Sequence, residues 1–274
     1  MAASQLEDVL VGTLPEPGTR EYAEMMHYES GDADREVLAR GRPLVEGWLD
    51  VAREFEPPSM PGAAVLLAHP RWGHAIKGRV LDAGAGTCWL TARLSTVPSV
   101  TEAHALDLSP RFLTETGKAV IEHLGGDLSR VRFTASDFTR TPYPDAHFDA
   151  AWMVASIHHS RRPAETLREL HRIVKRDGVV VVVIELPIAP HHLRKATVHA
   201  ETAERGIITE RVYTDRQFRD LFRSAGFVVA DALPIGAVTP PGWRRVLRRA
   251  LRLLHAEDLV APPPRVYVLT PTSR

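Results

Sequence analysis

Residues 79–83 form a short apolar run that ends in Asp82-Ala-Gly84-Ala-Gly86, and the stretch from Trp89 to Ser95 behind it reads as a helix. A strand that passes through two close glycines into a helix constrains this chain more than any other feature. Glycine there lets the backbone approach a ligand, and the first turn of the helix offers free N–H groups. The loop also opens a long alternation. Strands are expected at 103–107, Val131–Ala135, Phe148–Val154 and 179–185, and helices at 109–124 and 163–174, with Pro110 well placed at a helix start. The near-continuous valines of 179–185 suit a strand buried on both faces. A helix at 215–225 and strands at 227–233 and 265–270 close the chain. Such alternation predicts an α/β fold: a Rossmann-like, seven-stranded, mostly parallel sheet with helices on both faces.

Residues 1–60 have a different texture. From 20 to 55 the pattern is helical, with Val37, Leu38, Leu44, Val45, Trp48, Leu49 and Val51 at three- and four-residue spacing, until Pro57-Pro58 and Pro61-Gly62 interrupt it. An N-terminal helical cap, or lid, over 1–60 is expected ahead of a ligand-binding domain over 61–274. Within that domain, 187–214 reads as an insertion on the substrate side and 240–256 as a basic amphipathic helix.

The acids around the glycine loop narrow its ligand. A dinucleotide loop needs Gly or Ala three residues after Gly86, and Trp89 stands there instead. Asp82 precedes the glycines, where a carboxylate orders the loop and faces the ammonium of an amino-acid ligand. Asp107 ends the second strand, 23 residues after Gly84, where it can accept both hydroxyls of a ribose. Asp137-Phe138 follow the third, an acid for the adenine amino group and an aromatic neighbour for its ring. Each acid alone is equally well a turn or N-cap residue. Their succession at three strand ends, where open α/β sheets bind ligands, favours a site.

Val80-Leu-Asp-Ala-Gly-Ala-Gly-Thr-Cys-Trp-Leu-Thr91, Ala105-Leu-Asp-Leu-Ser-Pro110, Ala135-Ser-Asp-Phe138, Pro142-Tyr-Pro-Asp-Ala-His-Phe-Asp149 and Glu169-Leu-His-Arg-Ile-Val-Lys-Arg-Asp-Gly178 resemble class I S-adenosylmethionine-dependent methyltransferases. Within that superfamily they look most like the small-molecule branch that includes quinone-biosynthesis enzymes. The resemblance implies S-adenosylmethionine as cofactor. Gly84 and Gly86 would lie under its methionine part, with Asp82 beside them. Asp107, with Leu108 next to it, would hold the ribose, Asp137 and Phe138 the adenine, and the backbone at Val154 would face the amino acid. Two positions depart from the pattern. Cys88 replaces the third glycine of the loop, and Arg176-Asp177-Gly178 replaces a Pro-Gly-Gly turn. Cys88 is read as a packing residue rather than a nucleophile.

The resemblance also implies methyl transfer to a small molecule, with O-methylation of a secondary metabolite or sugar-like compound expected. The alternative is a protein of the same fold that binds the cofactor without methylating, or an enzyme that uses it for another reaction. An oxygen acceptor calls for a base. His158 and His159, after the fourth strand, are the catalytic candidates, and ordering their loop is the competing role. His191, His192 and His199 lie in the insertion; with Glu185 they offer metal ligands, yet lack helical i,i+4 spacing, so no metal is expected. In the cap, Tyr22, His27 and Tyr28 are placed to close over the cofactor.

Trp243-Arg-Arg-Val-Leu-Arg-Arg-Ala-Leu-Arg-Leu-Leu254 separates five arginines from an apolar face. It reads as a surface helix, or as a peripheral contact with an anionic membrane or an acidic partner. The chain as a whole balances 34 basic against 34 acidic residues, so nucleic acid is not an expected partner. One cysteine excludes an intrachain disulfide and suits a reducing compartment. Residues 1–14 lack the layout of a signal peptide, and the longest apolar run, 179–184, is too short to span a bilayer. A cytoplasmic location is expected.

Overall fold

The computed structural model describes residues 9–55, 69–185, 213–234 and 265–272. Its centre is a sheet of eight strands in the order β1-β4-β3-β2-β5-β6-β8-β7. These are β1 (Val9–Val11), β2 (Gly78–Ala83), β3 (Val100–Asp107), β4 (Val131–Ala135), β5 (Phe148–Val154), β6 (Val174–Glu185), β7 (Phe227–Pro234) and β8 (Arg265–Pro271). Only β8 runs against its neighbours, β6 and β7.

The seven expected strands are all present, and the eighth corrects the count. β1 pairs in parallel with β4, Val9 opposite Phe133 and Val11 opposite Ala135. Three residues are too few to show the alternation by which a strand is read from sequence. The pairing continues past β1, because the Gly12 N–H donates to the Ala135 carbonyl at 2.9 Å and the Asp137 N–H to that of Thr13 at 2.7 Å. The N-terminal segment therefore joins the sheet before it turns into helices.

Strand alternation sorts the core into two layers. Leu81, Phe148, Met153 and Val182 pack on one face with Leu167, Leu170, Phe218 and Phe222. Val80, Trp152 and Val181 pack on the other with Leu90 and Leu94. The first layer rests on α7 (Pro163–Ile173) and α8 (Asp215–Ser224), which begins with a Thr214–Gln217 capping box. The second lies under α4 (Trp89–Ser95). Trp152 and Phe148 are fully buried, each contributing about 2–3 kcal/mol of apolar burial.

Two sequence boundaries shift. The helix expected at 109–124 is α5 (Pro110–Phe112), a π-helical stretch (Leu113–Gly117) and α6 (Lys118–His123), capped by Ser109, whose hydroxyl accepts the Phe112 N–H at 3.1 Å. β6 starts at Val174 instead of 179. Val174 pairs with Phe148 and Val179 with Ala150, so the expected turn at Arg176-Asp177-Gly178 is a bulge inside the strand.

The helical pattern of 20–55 resolves into α1 (Arg20–Glu29), α2 (Asp32–Leu38) and α3 (Leu44–Phe55). Among the described residues no helix is long and apolar enough to cross a membrane. The insertion histidines His191, His192 and His199 and the basic segment 243–254 lie outside the described residues.

Candidate functional site

The strand order reverses at β2, which has β3 on one side and β5 on the other. Ligands of open α/β sheets bind beyond the strand ends at such a switch point. A cavity of about 420 Å³ opens there. The loop after β2, the ends of β3, β4 and β5, and the cap helices α1 and α3 all line it.

The glycine loop forms its floor. Gly84 has φ +80°, and a Cβ built on it would stand 2.6 Å from the Ser156 Cβ, so the loop closes against the end of β5 only with glycine there. Gly86 has φ +48°, and a Cβ there meets nothing within 4 Å; that open space belongs to the cavity. Beneath the loop, Asp82 is buried and its carboxylate accepts the Thr91 hydroxyl at 2.7 Å. Thr91 lies in the first turn of α4, so Asp82 joins the strand end to the helix start. Burial raises its pKa to about 7, with Thr91 hydrogen bonds opposing. Asp82 joins loop and helix from beneath, and its side chain is not among those lining the cavity.

Asp107 couples the loop to the end of β3. One carboxylate oxygen accepts the Gly86 N–H at 2.8 Å and the other the Leu108 N–H at 2.7 Å. Burial raises its pKa; the backbone donors Gly86, Leu108 and Ser109 offset part of that. At the end of β4, Asp137 accepts both the N–H and the hydroxyl of Thr139 at 2.7 Å, and Arg162 approaches it at 3.5 Å. Gly84, Gly86, Asp107, Leu108, Asp137, Phe138 and Val154 all line the same cavity. His158 and His159 line it too, on a 3-10 turn (Ile157–His159) after β5, with ring centroids 4.1 Å apart.

The cap supplies Tyr28, expected from the sequence, and Glu21, Glu24 and Trp48, which were not expected at the ligand. Glu21, Glu24 and Tyr28, spaced three and four apart, place one face of α1 on the cavity. Trp48 and Phe112 complete this wall, with Phe112 5.1 Å from Trp48 and 4.9 Å from Tyr28 between ring centroids. Of the three cap residues expected near the ligand, Tyr28 lines the cavity; Tyr22 and His27 do not, and His27 lies 3.8 Å from Glu36. A helix starting at Arg20 aligns 21, 24 and 28 on one face, but its periodicity does not say that this face meets the cavity. Thr87, Ser156, Arg161 and Arg162 also line the cavity.

A polar clasp holds the cap to the sheet domain. Glu29 accepts the Ser109 hydroxyl at 2.6 Å and the Arg111 N–H at 3.1 Å. The Arg111 guanidinium reaches Asp34 at 2.5 Å, and Asp34 also accepts the Trp48 indole N–H at 2.8 Å. On the opposite side of the cavity, Arg161 lies 3.6 Å from Glu21.

The residues fit the expected cofactor. The loop has the open backbone face that a methionyl chain requires. The acids at successive strand ends match a vicinal diol and an amino-purine, and Phe138 provides an apolar surface for the ring. Fold and site together define a nucleoside-binding α/β protein of the Rossmann-like type.

A family model described as "Methyltransferase domain" matches residues 81–182. The chain is 31% identical over 163 residues to a malonyl-[acyl-carrier protein] O-methyltransferase of Halorhodospira halophila, covering 60% of this chain and 50% of that one. It is 24% identical over 172 residues to 27-O-demethylrifamycin SV methyltransferase of Amycolatopsis mediterranei, covering 62% and 61%. The match thus spans about half to three-fifths of these curated relatives. Among solved structures, Burkholderia thailandensis 1,6-didemethyltoxoflavin-N1-methyltransferase, with its substrate and S-adenosylhomocysteine bound, shares the fold with a TM-score of 0.56 at 19% identity. That likeness covers 96% of this chain and 94% of the other. Residues 81–182 thus carry a methyltransferase domain, and across it the chain is similar to class I S-adenosylmethionine-dependent methyltransferases, whose cofactor is S-adenosylmethionine.

Proposed function

We propose that this protein transfers the methyl group of S-adenosylmethionine to a small-molecule acceptor, and that the acceptor atom is an oxygen of a secondary metabolite or sugar-like compound. The observation that carries this reading is one cavity bordered by the glycine loop and by Asp107, Asp137 and Phe138 at successive strand ends. The names of the two curated relatives, one an O-methyltransferase and the other acting on a demethylrifamycin, favour oxygen and a natural-product acceptor.

When bound, the cofactor supplies a methyl group already activated by its positive sulfur. The protein has to hold and align. In this reading the Gly84–Gly86 loop and the Val154 backbone carry the methionyl part, Asp107 and Leu108 the ribose, and Asp137 and Phe138 the adenine. Asp82 keeps the loop in place through Thr91. Alignment of that kind is worth ~7–11 kcal/mol of a barrier. His158 or His159 takes the proton of an acceptor hydroxyl, a contribution of roughly 100- to 10,000-fold. Helices α1–α3, the lid of the 1–60 segment, exclude water, with the aromatic wall of Tyr28, Trp48 and Phe112 against the acceptor. The balanced charge and single cysteine support a small-molecule partner, not nucleic acid, and a cytoplasmic setting.

The test is transfer of a radiolabelled methyl group to a panel of phenols, polyketides, sugars and carboxylic acids. Labelled ether or ester is the expected product. Tight cofactor binding with no transfer to oxygen contradicts the oxygen assignment, and no transfer to any acceptor favours a non-methylating protein of the same fold.

A further inference from the structure

We infer that Glu24 of α1 recognises the positive charge of the cofactor's sulfonium, so that the site distinguishes S-adenosylmethionine from S-adenosylhomocysteine, whose sulfur is neutral. The inference rests on the cofactor placement proposed above and assigns a charge-reading role to the cap.

Three acids besides Glu24 line the cavity, and each is already engaged. Glu21 is met by Arg161, Asp107 by the Gly86 and Leu108 amides, and Asp137 by Thr139 and Arg162. Among the described residues, no ion pair holds Glu24. It is half-buried on the cavity face of α1, in line with Glu21 and Tyr28.

Its location is bracketed electrostatically. Burial raises the Glu24 pKa most, followed by the charges of Asp107 and Glu21; Arg20 and His158 lower it, and the result is about 7. Glu24 therefore lies within the fields of both the ribose acid at the end of β3 and the turn after β5. The sulfonium joins the ribose to the methionyl chain, and so belongs between Asp107 and the segment formed by the glycine loop and Val154. Glu24 is the carboxylate that the cap presents to that junction.

A cation there meets a carboxylate that no ion pair among the described residues holds, in a partly dry cavity where charge contacts are stronger than in water. Methyl transfer removes that charge from sulfur, so the contact is lost with the product. The groups that act on Glu24 are Arg20, Glu21 and Tyr28 on its own helix, Asp107 from β3 and His158 from the turn after β5; His159 lines the same cavity, and Arg161 acts through Glu21.

The experiment is isothermal calorimetry of both ligands at pH 8 and pH 6, with wild type, Glu24→Gln and, as control, Glu21→Gln. Wild type should prefer S-adenosylmethionine by about tenfold at pH 8, where Glu24 is ionised, and lose most of the preference at pH 6. Glu24→Gln should bring the ratio close to one at both pH values while keeping its affinity for S-adenosylhomocysteine within about twofold. Glu21→Gln should keep the wild-type ratio. A wild-type ratio in Glu24→Gln, or equal loss of both ligands, overturns the charge-reading role. Failure of wild type to bind either ligand overturns the cofactor placement instead.

Discussion

The thiol of Cys88 occupies the space that glycine leaves at position 117: a Cβ built on Gly117 would stand 2.7 Å from the Cys88 Sγ. Cys88 is the N-cap of α4, has φ 59° in the left-handed region, and is fully buried. The superfamily pattern has glycine at this position of the loop. Here the side chain is accommodated by a glycine from another element, the π-helical stretch Leu113–Gly117. Burial, with Asp82 and Asp107 nearby, pushes the thiol well above its ordinary range, which suits packing and not nucleophilic attack.

Gly117→Ala should therefore overpack the pair and cost about 1–3 kcal/mol. Adding Cys88→Gly should restore most of that loss, since it removes the clashing sulfur and relieves a left-handed backbone worth roughly 1–2 kcal/mol. Chemical denaturation of the two single variants and the double variant measures the coupling. Additive effects would show that the two positions do not share this space.

The clasp at Arg111 predicts what holds the cap. Arg111→Ala leaves Asp34 buried at 7% exposure without its guanidinium, beside Trp48 and Thr116. Breaking a pair of this kind costs roughly 3 kcal/mol. Limited proteolysis should then cut first within residues 9–55, before the sheet domain. Global destabilisation with no preferred early cut in that segment would contradict a cap that is held separately.

His104 on β3 sets an acid limit. Its ring is packed among Tyr143, His147 and Phe148, and burial brings its pKa down to about 4, with Glu102 opposing. An unfolded histidine titrates near ~6.5, so the folded state binds fewer protons between the two values. The stability from neutral His104 is complete above the unfolded value and is lost as pH falls from 6.5 toward the folded pKa of about 4. His104→Phe should flatten the decline of melting temperature across this window. An unchanged acid slope in the variant would place the sensitivity elsewhere.

The sequence carried the strand–helix alternation and most residues of the cavity floor because both follow local rules. Glycines and acids at strand ends can be read without knowing what packs on them, and seven strands were long enough to show their pattern. β1 was hidden by its length of three residues, and the start of β6 by a turn-like Arg-Asp-Gly that the structure bulges out between the pairs Phe148–Val174 and Ala150–Val179. The cavity wall contributed by the cap was harder to read. Glu24 and Trp48 depend on how α1 and α3 dock against Phe112, a tertiary relation that periodicity within a helix does not reveal. Asp82 shows the reverse case: the residue was recognised, but its carboxylate is used on Thr91 beneath the loop.

Cofactor binding through Asp107 is the most direct test of this account. Calorimetric titration with S-adenosylhomocysteine, which tests the nucleoside site without needing an acceptor, should give saturable one-to-one binding to the wild-type protein. Asp107→Asn should weaken it about 10- to 100-fold, the loss expected when hydrogen bonds to a charged group are replaced by neutral ones. Absence of binding to wild type, or equal affinity in Asp107→Asn, would contradict the placement of the cofactor at the ends of β2 to β5.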